Sequence, residues 1–424
     1  MSRIVVIADD LTGAADAGVM FCPYFKSVYL CSDRNFVNQA SLVQAEVLAI
    51  HTDSRAASPA AAGSQLRVVL EKLRHQPSAR LFKKIDSSLR GNIGAEIDTL
   101  VEQTDAACSF VIAAFPELGR TTVHDIHAIH GVPLAETELR HDPVTPVTES
   151  RVTAVVAGQS RYPVGHVDLS VLDGPLADLV ATIDRLRGSG CRHLVFDAVT
   201  DAHLDRIVTL AGALKEEVLL AGTAGLAMAA ARQWATGSAA GMPEDLPARA
   251  GGYPLYICGT AAEKTALQIE TLVASSSCAV VNMDSGLLAD GTRRAALQRR
   301  TQDLLGIACT GGLIVRITPE DDKNRLRRQG WPALEVAHSL GLVAAELIKA
   351  RPPAAIFCCG GDTASSVMAA LAAWSMELRR LIVPGMVLGR LNGGVVDGLP
   401  FITKPGSFGR ADDLVTLHRL LTKE

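Results

Sequence analysis

Short runs of apolar, β-branched residues recur along the chain, and most of them end in a polar or glycine-rich turn that precedes a helical pattern. The first run covers 3–8, and the turn 9–13 and an alanine-rich helical pattern follow it. Continuous apolar runs of this kind are typical of parallel strands buried on both faces. Their alternation with helical segments predicts an α/β fold, with helices on both sides of largely parallel sheets.

The same pattern predicts most of the remaining elements. Buried strands are expected at 47–50, 81–85, 109–115, 193–196, 217–221, 255–258, 279–282, 313–317 and 354–359. Helices are expected at 58–74, from near 94, at 175–186, 202–214, 224–234, from about 262 to 273, and at 335–349 and 364–378. The segment from 116 to 150 is polar and proline-rich, so it is expected to be a long structureless loop.

The chain has 424 residues, which is too long for one ordinary domain. Between 236 and 254 the composition shifts to glycine, alanine, proline and serine, and a strand pattern begins again directly afterwards. Such a shift is typical of a domain boundary. We therefore predict domains at 1–236 and 253–424, a linker at 237–252, and two three-layer α/β/α folds with the active-site cleft between them.

Composition narrows the class of protein. Hydrophobic residues make up 48% of the chain and charged residues 20%, so a large core is expected and disorder is not. The net charge of −4 provides no bulk field for nucleic acid or an acidic membrane. An anionic ligand must therefore be held by a local cluster of cations, and no nucleic-acid or membrane partner is expected.

The cysteines and the start of the chain indicate a cytoplasmic protein. Most of the nine cysteines lie in apolar runs, without a C-x-x-C pair, which is typical of reduced and buried thiols. The first ten residues turn acidic too soon for a signal peptide, and no apolar run reaches membrane-spanning length. The sequence is compatible with a homo-oligomer.

The most polar turn lies within 81–96, where a strand pattern runs into a turn and then a helix. Turns after the carboxyl ends of parallel strands are where ligands bind in open α/β sheets. Cations, hydroxyls and glycines so close together favour an anionic ligand over a solvated turn capped by serines. The candidate side chains of this turn are Lys83, Lys84, Asp86, Ser87 and Arg90.

Two other strand ends in the first half carry candidate residues. Asp9 and Asp10 follow the first strand and could bind a metal, accept a proton, hold sugar hydroxyls or cap the next helix. Arg55 follows the second strand, and its planar guanidinium suits a carboxylate, although a surface arginine is the plain alternative. Together these residues predict a small anionic substrate in the first domain.

The second half offers glycine turns at strand ends. Gly360 and Gly361 follow the strand at 354–359, and Asp362 and Thr363 begin the next helix. Paired glycines allow backbone N–H groups to approach a phosphate at the positive end of a helix. Asp362 could orient Mg²⁺ or cap the helix, and a plain glycine turn is the alternative. Glycine turns at 384–390 and 403–409 could cradle a nucleotide or be tight turns of a sheet.

Several known motifs are absent. There is no P-loop, no G-x-G-x-x-G after a strand and no G-x-S-x-G elbow, which argues against a P-loop NTPase, a Rossmann dehydrogenase and a serine hydrolase. The histidines of the 116–150 segment do not have the spacing of a zinc site, so a ligand-contacting or structural loop is expected there. These histidines are His124, His127, His130 and His141.

The sequence as a whole resembles the four-carbon acid sugar kinases, a family formerly uncharacterised. The resemblance rests on motifs in both halves and in the same order. The motifs are IADDLTGAAD at 7–16, TDSR at 52–55, KKIDSSLRGNIGAE at 83–96, GRTT, GVPLAET and DPVTPV within 119–147, GGDTAS at 360–365, PGMVLGRL at 384–391 and KPGSFG at 404–409.

The resemblance implies an activity and site residues. The activity is ATP-dependent phosphorylation of the terminal hydroxyl of D-threonate, D-erythronate or 3-oxo-tetronate, with D-threonate preferred, and Mg²⁺ would arrive with the ATP. The implied acid-sugar contacts are Asp10, Arg55, Lys83, Lys84, Asp86, Ser87 and Arg90. The implied ATP contacts are Thr260, Gly360, Gly361, Asp362, Thr363 and Gly406.

Between the two candidate bases, the sequence favours Asp10. Lysine neighbours should keep the pKa of Asp86 low, whereas Asp9 should raise the pKa of one member of the acidic pair. Asp10 is therefore expected to accept the proton and Asp86 to bind hydroxyls. Two other classes remain open: a sugar-acid lyase or aldolase, which would not bind a nucleotide, and a non-catalytic sugar-acid sensor, which would release no ADP.

Overall fold

The computed structural model describes residues 3–33, 40–74, 79–141, 145–235, 252–289, 294–307, 309, 311–317 and 333–422. The chain divides into two compact units. Unit 1 comprises Met1–Val28 and Ser32–Gly241, and unit 2 comprises Tyr29–Cys31 and Met242–Glu424. Two α/β units agree with the predicted fold class. Of the predicted linker, 237–251 lies outside the described residues, so the bounds of that linker stay a prediction.

Unit 1 is built on a parallel sheet in the order β3-β1-β4-β11-β5-β10-β9. These strands are buried along most of their length because helices cover both faces of a parallel sheet. The strands of the first half of the chain are β1 Arg3–Ala8, β2 Val28–Ser32, β3 Val47–His51, β4 Ala79–Lys84, β5 Cys108–Ile112, β6 Arg120–Val123, β7 Ile126–Ile129, β8 Val132–Pro133, β9 Val164–Val167, β10 His193–Phe196 and β11 Val218–Gly222.

The helices of unit 1 follow the predicted pattern, with ends that differ by a few residues. One of its cores lies between the sheet and the helix after β4, where Ile93 and Ile97 pack against Val111 and Val195. The helices are α1 Leu11–Val19, α2 Ala40–Val43, α3 Pro59–Arg74, α4 Ile93–Gln103, α5 Val152–Ala157, α6 Leu169–Asp173, α7 Leu176–Gly188, α8 Asp201–Ala213 and α9 Ala224–Trp234.

The prediction of a structureless segment at 116–150 is wrong. This segment contains the antiparallel sheet β6-β7-β8 and short 3₁₀ turns at Pro116–Leu118, Leu134–Glu136 and Glu138–His141. Its strands have only two to four residues, too short for a clear alternation of polar and apolar positions. Residues 116–141 are therefore an ordered part of unit 1.

Unit 2 has a mixed sheet in which β13-β14-β12-β15-β18 are parallel and β18-β17-β16 antiparallel. Met376 and Glu377 of β16 also pair with Leu30 and Tyr29, which explains why a segment of β2 belongs to this unit. The strands are β12 Pro254–Cys258, β13 Ala279–Met283, β14 Leu313–Ile317, β15 Ala355–Cys359, β16 Ser375–Val383, β17 Met386–Asn392 and β18 Pro400–Lys404.

The predicted helix at 364–378 ends earlier than expected. It spans Gly361–Ala370, and Ser375–Val383 is a strand that continues through the turn at Pro384 and Gly385 into β17. The glycine turn at 384–390 is thus a hairpin turn, the alternative left open above. The helices of unit 2 are α10 Glu263–Ser275, α11 Ser285–Ala289, α12 Arg294–Leu305, α13 Ala333–Ala350, α14 Gly361–Ala370 and α15 Asp413–Thr422, with a 3₁₀ turn at Gly394–Val396.

Two further observations bear on the sequence predictions. All nine cysteines lie in the described ranges as thiols, and seven of them are buried. Burial raises the pKa of the Cys108 thiol to about 11, so this thiol stays protonated at neutral pH. Among the described helices, none is both long and apolar enough to cross a membrane.

Candidate functional site

The strand order of unit 1 reverses between β1 and β4. From β1 the chain continues to β3 on one side, and it then returns to β4 on the other side. In open parallel sheets, ligands bind at such a switch point, in the crevice beyond the carboxyl ends of the strands. The two turns meet there, because a Cβ on Gly91, which has φ +90°, would lie 2.7 Å from Asp9 Oδ2.

Arg55 brings the turns after β1 and β3 together. Its Nε and Nη2 donate to the two carboxylate oxygens of Asp9 at 2.8 Å each, and Nη2 also donates to Asp10 Oδ1 at 2.7 Å. Asp86 Oδ1 lies 3.9 Å from the same Nη2. Burial alone would lower the pKa of Arg55, but Asp10, Asp9 and Asp86 raise it. Arg55 is thus a fixed cation that neutralises the acidic pair.

Asp10 is the N-cap of α1. Its Oδ1 accepts from the Gly13 N–H at 2.9 Å, and its Oδ2 accepts from Thr12 Oγ1 at 2.5 Å. With the bond from Arg55, this carboxylate accepts three hydrogen bonds. Asp9 is not solvated, as the capping alternative supposed, since only 3% of it is exposed. The capping role is therefore present, and a base role for Asp10 stays a prediction.

Asp86 is held by Arg90 in a two-pronged ion pair. Arg90 Nε donates to Asp86 Oδ2 at 2.6 Å, and Nη2 donates to Oδ1 at 3.2 Å. Burial would raise the pKa of Asp86, but Arg90 and Arg55 outweigh it and hold the pKa below its usual range. The sequence predicted a low pKa from the lysine neighbours; the direction is the same, and the arginines contribute most.

The two lysines of β4 point to opposite faces of the sheet, as successive strand residues must. Lys83 Nζ lies 2.8 Å from Glu96 Oε2 of α4, and both side chains are at least 98% buried. Lys84 Nζ lies on the α1 side, where a Cβ on Gly13 would be 3.6 Å from it, and it donates to the Ile85 carbonyl at 2.9 Å. The structure therefore places Lys84, and not Lys83, at the crevice.

Two buried side chains of the β6-β7 hairpin hold the turn after β4. Arg120 Nη1 donates to the Ser87 carbonyl at 2.7 Å and to Ser88 Oγ at 3.1 Å. His127 Nε2 lies 3.1 Å from the same Ser87 carbonyl, which can only accept, so Nε2 is the protonated nitrogen. Burial lowers the pKa of His127 to about 4, so the ring is neutral at physiological pH.

Asp16 is a fourth aspartate near the crevice, after Asp9, Asp10 and Asp86. It lies on α1, is 8% exposed, and its Oδ1 has no hydrogen-bond partner in the part of the chain that the structure describes. Burial raises the pKa of Asp16 to about 6, against the opposing effect of Lys84. An unpaired buried carboxylate costs free energy unless a ligand completes its hydrogen bonding.

A cavity of about 640 Å³ opens next to the two arginines. Arg55 and Arg90 line it together with the turn residues Gly91 and Asn92. Its other wall comes from Thr145, Thr148 and Gln159. Such a volume accommodates a small polar metabolite, and the lining contributes both cations and hydroxyls.

Of the histidines in the 116–150 segment, His124 lies in a possible ligand group with Asp168 and Asp197, whose ligand atoms are within 4.8 Å of one another. Asp197 already accepts from the backbone N–H groups of His124 and Asp125 at 2.7 and 3.0 Å, and from His166 Nε2 at 2.9 Å. These bonds account for its burial without a metal. A ligand-contacting or structural role of the segment stays a prediction.

In unit 2 the strand order reverses between β12 and β15. The turns after β12, β15 and β18 therefore lie side by side at the carboxyl edge of adjacent parallel strands. These turns contain every nucleotide contact predicted from the sequence: Thr260 in the first, Gly360–Thr363 in the second and Gly406 in the third. The structure brings all of them together.

These turns are so close that side chains would not fit. A Cβ on Gly259 would collide with Thr363 Oγ1, and a Cβ on Gly406 would lie 2.5 Å from Thr260 Oγ1. Gly360 has φ +105°, a conformation that only glycine adopts without strain. The helix that begins at Gly361 has its N-terminus at this edge, so the arrangement suits a phosphate.

Lys404 holds the turn after β18 through hydrogen bonds to its backbone. It is completely buried, and its Nζ donates to the Pro405 and Phe408 carbonyls at 3.0 Å each. Gln268 Nε2 donates to the Phe408 carbonyl at 3.2 Å and to the Arg410 carbonyl at 2.8 Å. The glycine-rich turn is therefore rigidly held, which lowers the entropic cost of binding a ligand.

Two family models match this chain, one in each half. A family model described as a sugar-binding N-terminal domain matches residues 4–230, and one described as a nucleotide-binding C-terminal domain matches 255–414. A D-threonate kinase from Bordetella bronchiseptica is 32% identical over 97% of this chain and 96% of its own length. The chain belongs to the four-carbon acid sugar kinase family.

Other members of this family are similar along nearly their whole length. A D-erythronate kinase from Heliobacterium modesticaldum is 29% identical over 100% of this chain and 98% of its own. A 3-oxo-tetronate kinase from Brucella melitensis is 28% identical over 96% and 93%. A crystal structure from Salmonella typhimurium has a TM-score of 0.78 at 24% identity, covering 99% of this chain and 100% of that one, which supports the fold.

Within this acid sugar kinase, sequence reasoning missed several residues around the two switch points. Asp16 and Glu96 are the last letters of the motifs at 7–16 and 83–96, which was the available signal. The sequence signals Arg120 only as part of its GRTT motif, and His127 only as one of several histidines. Lys404 begins the KPGSFG motif, but its burial beneath the turn depends on strand pairing and could not be read from the sequence.

Proposed function

We propose that the protein is an ATP-dependent kinase that phosphorylates the terminal hydroxyl of a four-carbon acid sugar, with D-threonate as the first choice. The observation that carries the proposal is the pair of switch-point sites. The crevice of unit 1 is lined by opposite charges suited to a small polyhydroxy acid, and the edge of unit 2 is lined by glycines suited to a phosphate. The names of the similar kinases support the same activity.

On the nucleotide side, the proposed contacts are the backbone N–H groups at the start of α14 and the glycine turns beside it. The glycines fit ATP because the edge has no room for side chains there, and the helix N-terminus favours negative charge. Asp362 contributes one carboxylate in the first turn of α14. Mg²⁺ is therefore proposed to arrive with the ATP phosphates, since it commonly binds through few carboxylates plus phosphates.

On the acid-sugar side, the proposed contacts are revised by the geometry. Arg55 and Arg90 line the cavity, so these two cations can meet a substrate carboxylate, and Lys84, on the α1 side of the crevice, remains a proposed substrate contact. Asp10, Asp86 and Ser87 remain proposed hydroxyl or positioning contacts. Lys83 is proposed to act indirectly, because it holds Glu96 in place. Glu96 also accepts a hydrogen bond from Ser54 Oγ at 2.6 Å, and Ser54 is the residue before Arg55. A direct substrate contact by Lys83 is not favoured.

The proposed reaction requires few chemical steps from the side chains of this protein. Phosphoryl transfer depends mainly on positioning and on neutralising charge, and the bound metal supplies charge neutralisation at the phosphates. The unit 1 residues would hold the acceptor hydroxyl and take its proton, and the unit 2 turns would hold the phosphates. Asp10 is the base that the sequence favours and Asp86 is the alternative, although both carboxylates already have strong hydrogen-bond donors.

The test is an ADP-release assay with D-threonate, D-erythronate and 3-oxo-tetronate, each at several concentrations. We expect ADP release only when an acid sugar is present. The highest kcat/KM is expected with D-threonate. ATP binding is measured separately by calorimetry. A protein that binds acid sugar but no ATP would contradict the kinase proposal and favour a lyase, and one that binds both without ADP release would favour a sensor.

A further inference from the structure

We propose that Asp16 and Lys84 form a binding pair for one substrate hydroxyl, and that Asp16 accepts the proton of that hydroxyl during phosphoryl transfer. The proton-accepting part rests on the proposed kinase function. The binding part does not, because it requires only an acid sugar in the crevice. The pair would replace Asp10 and Asp86 in the role of base.

The positions of the two side chains follow from the geometry of α1. A Cβ on Gly13 would lie 3.6 Å from Lys84 Nζ, so this point of the helix faces the ammonium group. Asp16 is three residues further along, and residues three apart share one face of a helix. Lys84 is the cation that acts most strongly on Asp16, and Asp10, Arg120 and Asp86 act on it as well.

Both members of the pair have unused hydrogen-bonding capacity. Asp16 Oδ1 is buried and, within the described ranges, has no donor. Lys84 is 4% exposed and donates to the Ile85 carbonyl, which accounts for one of the three N–H bonds of an ammonium group. Buried polar groups in native proteins nearly always find partners. We therefore expect a ligand group to supply an acceptor to Lys84 and a donor to Asp16.

A hydroxyl meets both requirements at once. Its oxygen accepts from an ammonium group while its O–H donates to a carboxylate. A substrate carboxylate could satisfy Lys84 only, and it would be repelled by Asp16. Four-carbon acid sugars carry hydroxyls, so the pair would select and orient one of them. This argument distinguishes the pair from Arg55 and Arg90, which suit the carboxylate end.

The competing carboxylates are less suited to accept a proton. Asp10 accepts three hydrogen bonds, and Asp86 is chelated by Arg90. Burial raises the pKa of Asp16 to about 6, near the operating pH, where a general base is most effective. The groups that face Asp16 and share in its titration are Lys84, Asp10, Arg120 and Asp86.

The step balances as an alcohol phosphorylation. The substrate O–H bond breaks and its proton moves to Asp16 Oδ1. The oxygen forms a bond to the γ-phosphorus, and the bond from that phosphorus to the β–γ bridging oxygen breaks. ADP leaves with the electron pair of the broken bond. Asp16 then releases its proton to solvent.

The first experiment compares Asp16→Asn with wild type, with D-threonate and ATP, from pH 5 to 9. We expect kcat to fall roughly 10²–10⁴-fold while the ATP KM stays within twofold. The wild-type kcat should rise with pH through an acidic limb near the Asp16 pKa of about 6, and this limb should be absent in the variant. Asp98→Asn is the matched control, since Asp98 is 2% exposed but already accepts from Ser160 Oγ; its kcat should change little.

The second experiment measures D-threonate binding by calorimetry without ATP. A hydroxyl donates a stronger hydrogen bond to ionised Asp16 than to its protonated form, so the wild-type Kd should weaken several-fold between pH 7.5 and pH 5, and the Kd of Asp16→Asn should not depend on pH. Lys84→Met should weaken binding about tenfold or more. Lys84→Met also tests the pair if Asp16→Asn does not fold.

The outcomes separate the two proposals. If Asp16→Asn keeps a kcat within threefold of wild type and keeps the acidic limb, Asp16 is not the base. If D-threonate binding is equally pH-dependent in wild type and Asp16→Asn, or absent from wild type, the hydroxyl pair is overturned. Failure of the wild type to release ADP with any tetronate, with pH-dependent binding preserved, would overturn the kinase function and leave the hydroxyl pair supported.

Discussion

Replacing Lys83 by methionine should destabilise unit 1 far more than it affects substrate binding. Lys83 Nζ and Glu96 Oε2 are 2.8 Å apart, with side-chain exposures of 1% and 2%. Removal of one partner from a buried ion pair leaves an uncompensated charge and typically costs about 3–5 kcal/mol. The hydrogen bond from Ser54 Oγ to Glu96 compensates only part of that charge. We therefore expect a loss in the free energy of unfolding of about 3–5 kcal/mol.

The assay is urea unfolding followed by the fluorescence of Trp234, with the other two tryptophans replaced by phenylalanine. Trp234 reports on unit 1 near the mutation, because its ring lies 6.5 Å from that of Phe82, the neighbour of Lys83 on β4. A local reporter is needed because a chain of two units does not have to unfold in one transition. The double variant Lys83→Met/Glu96→Gln, compared with its two single variants, completes a double-mutant cycle. The coupling energy between Lys83 and Glu96 should exceed about 2 kcal/mol.

Lys84→Met is the matched control, one residue further along the same strand. It should lose less stability than Lys83→Met and should raise the KM for D-threonate about tenfold or more, because Lys84 and not Lys83 faces the crevice. The reasoning is refuted if Lys83→Met loses less than about 1 kcal/mol, a value ordinary for surface changes. It is also refuted if Lys83→Met raises the KM while Lys84→Met leaves it unchanged.

Three further predictions concern the remaining site residues. Arg55→Ala should raise the acid-sugar KM about tenfold or more, with little change in the ATP KM. It should also lower the unfolding midpoint of unit 1, because Asp9 and Asp10 lose their cation. An unchanged acid-sugar KM would show that Arg55 is not part of the site. Gly361→Val should abolish ATP binding in calorimetry while acid-sugar binding persists, and normal ATP binding by a folded variant would place the nucleotide elsewhere. Asp10→Asn and Asp86→Asn should each retain more kcat than Asp16→Asn; a loss of roughly 10²–10⁴ in Asp10→Asn alone would restore the base predicted from the sequence.

Local pattern was sufficient for much of this protein. The run of apolar residues at Arg3–Ala8 and the helical pattern after Asp10 predicted β1 and α1, because a strand buried on both faces and a capped helix each have a signature within a few residues. The glycine turns after β12, β15 and β18 were recognised for the same reason, since the conformation of a tight turn depends on the residues inside it. The candidate sites could therefore be assigned to strand ends in advance.

The partner of each charged side chain was decided by the tertiary structure. The sequence predicted Arg55 as a substrate contact, but the pairing of β1 with β3 also brings Asp9 and Asp10 onto its guanidinium. Likewise, the parallel pairing of β4 with β1 places Lys84 beside α1, while Lys83 lies on the opposite face against Glu96. Electrostatic roles depend on distances of a few ångströms between segments far apart in the chain, and a local pattern contains no such distances.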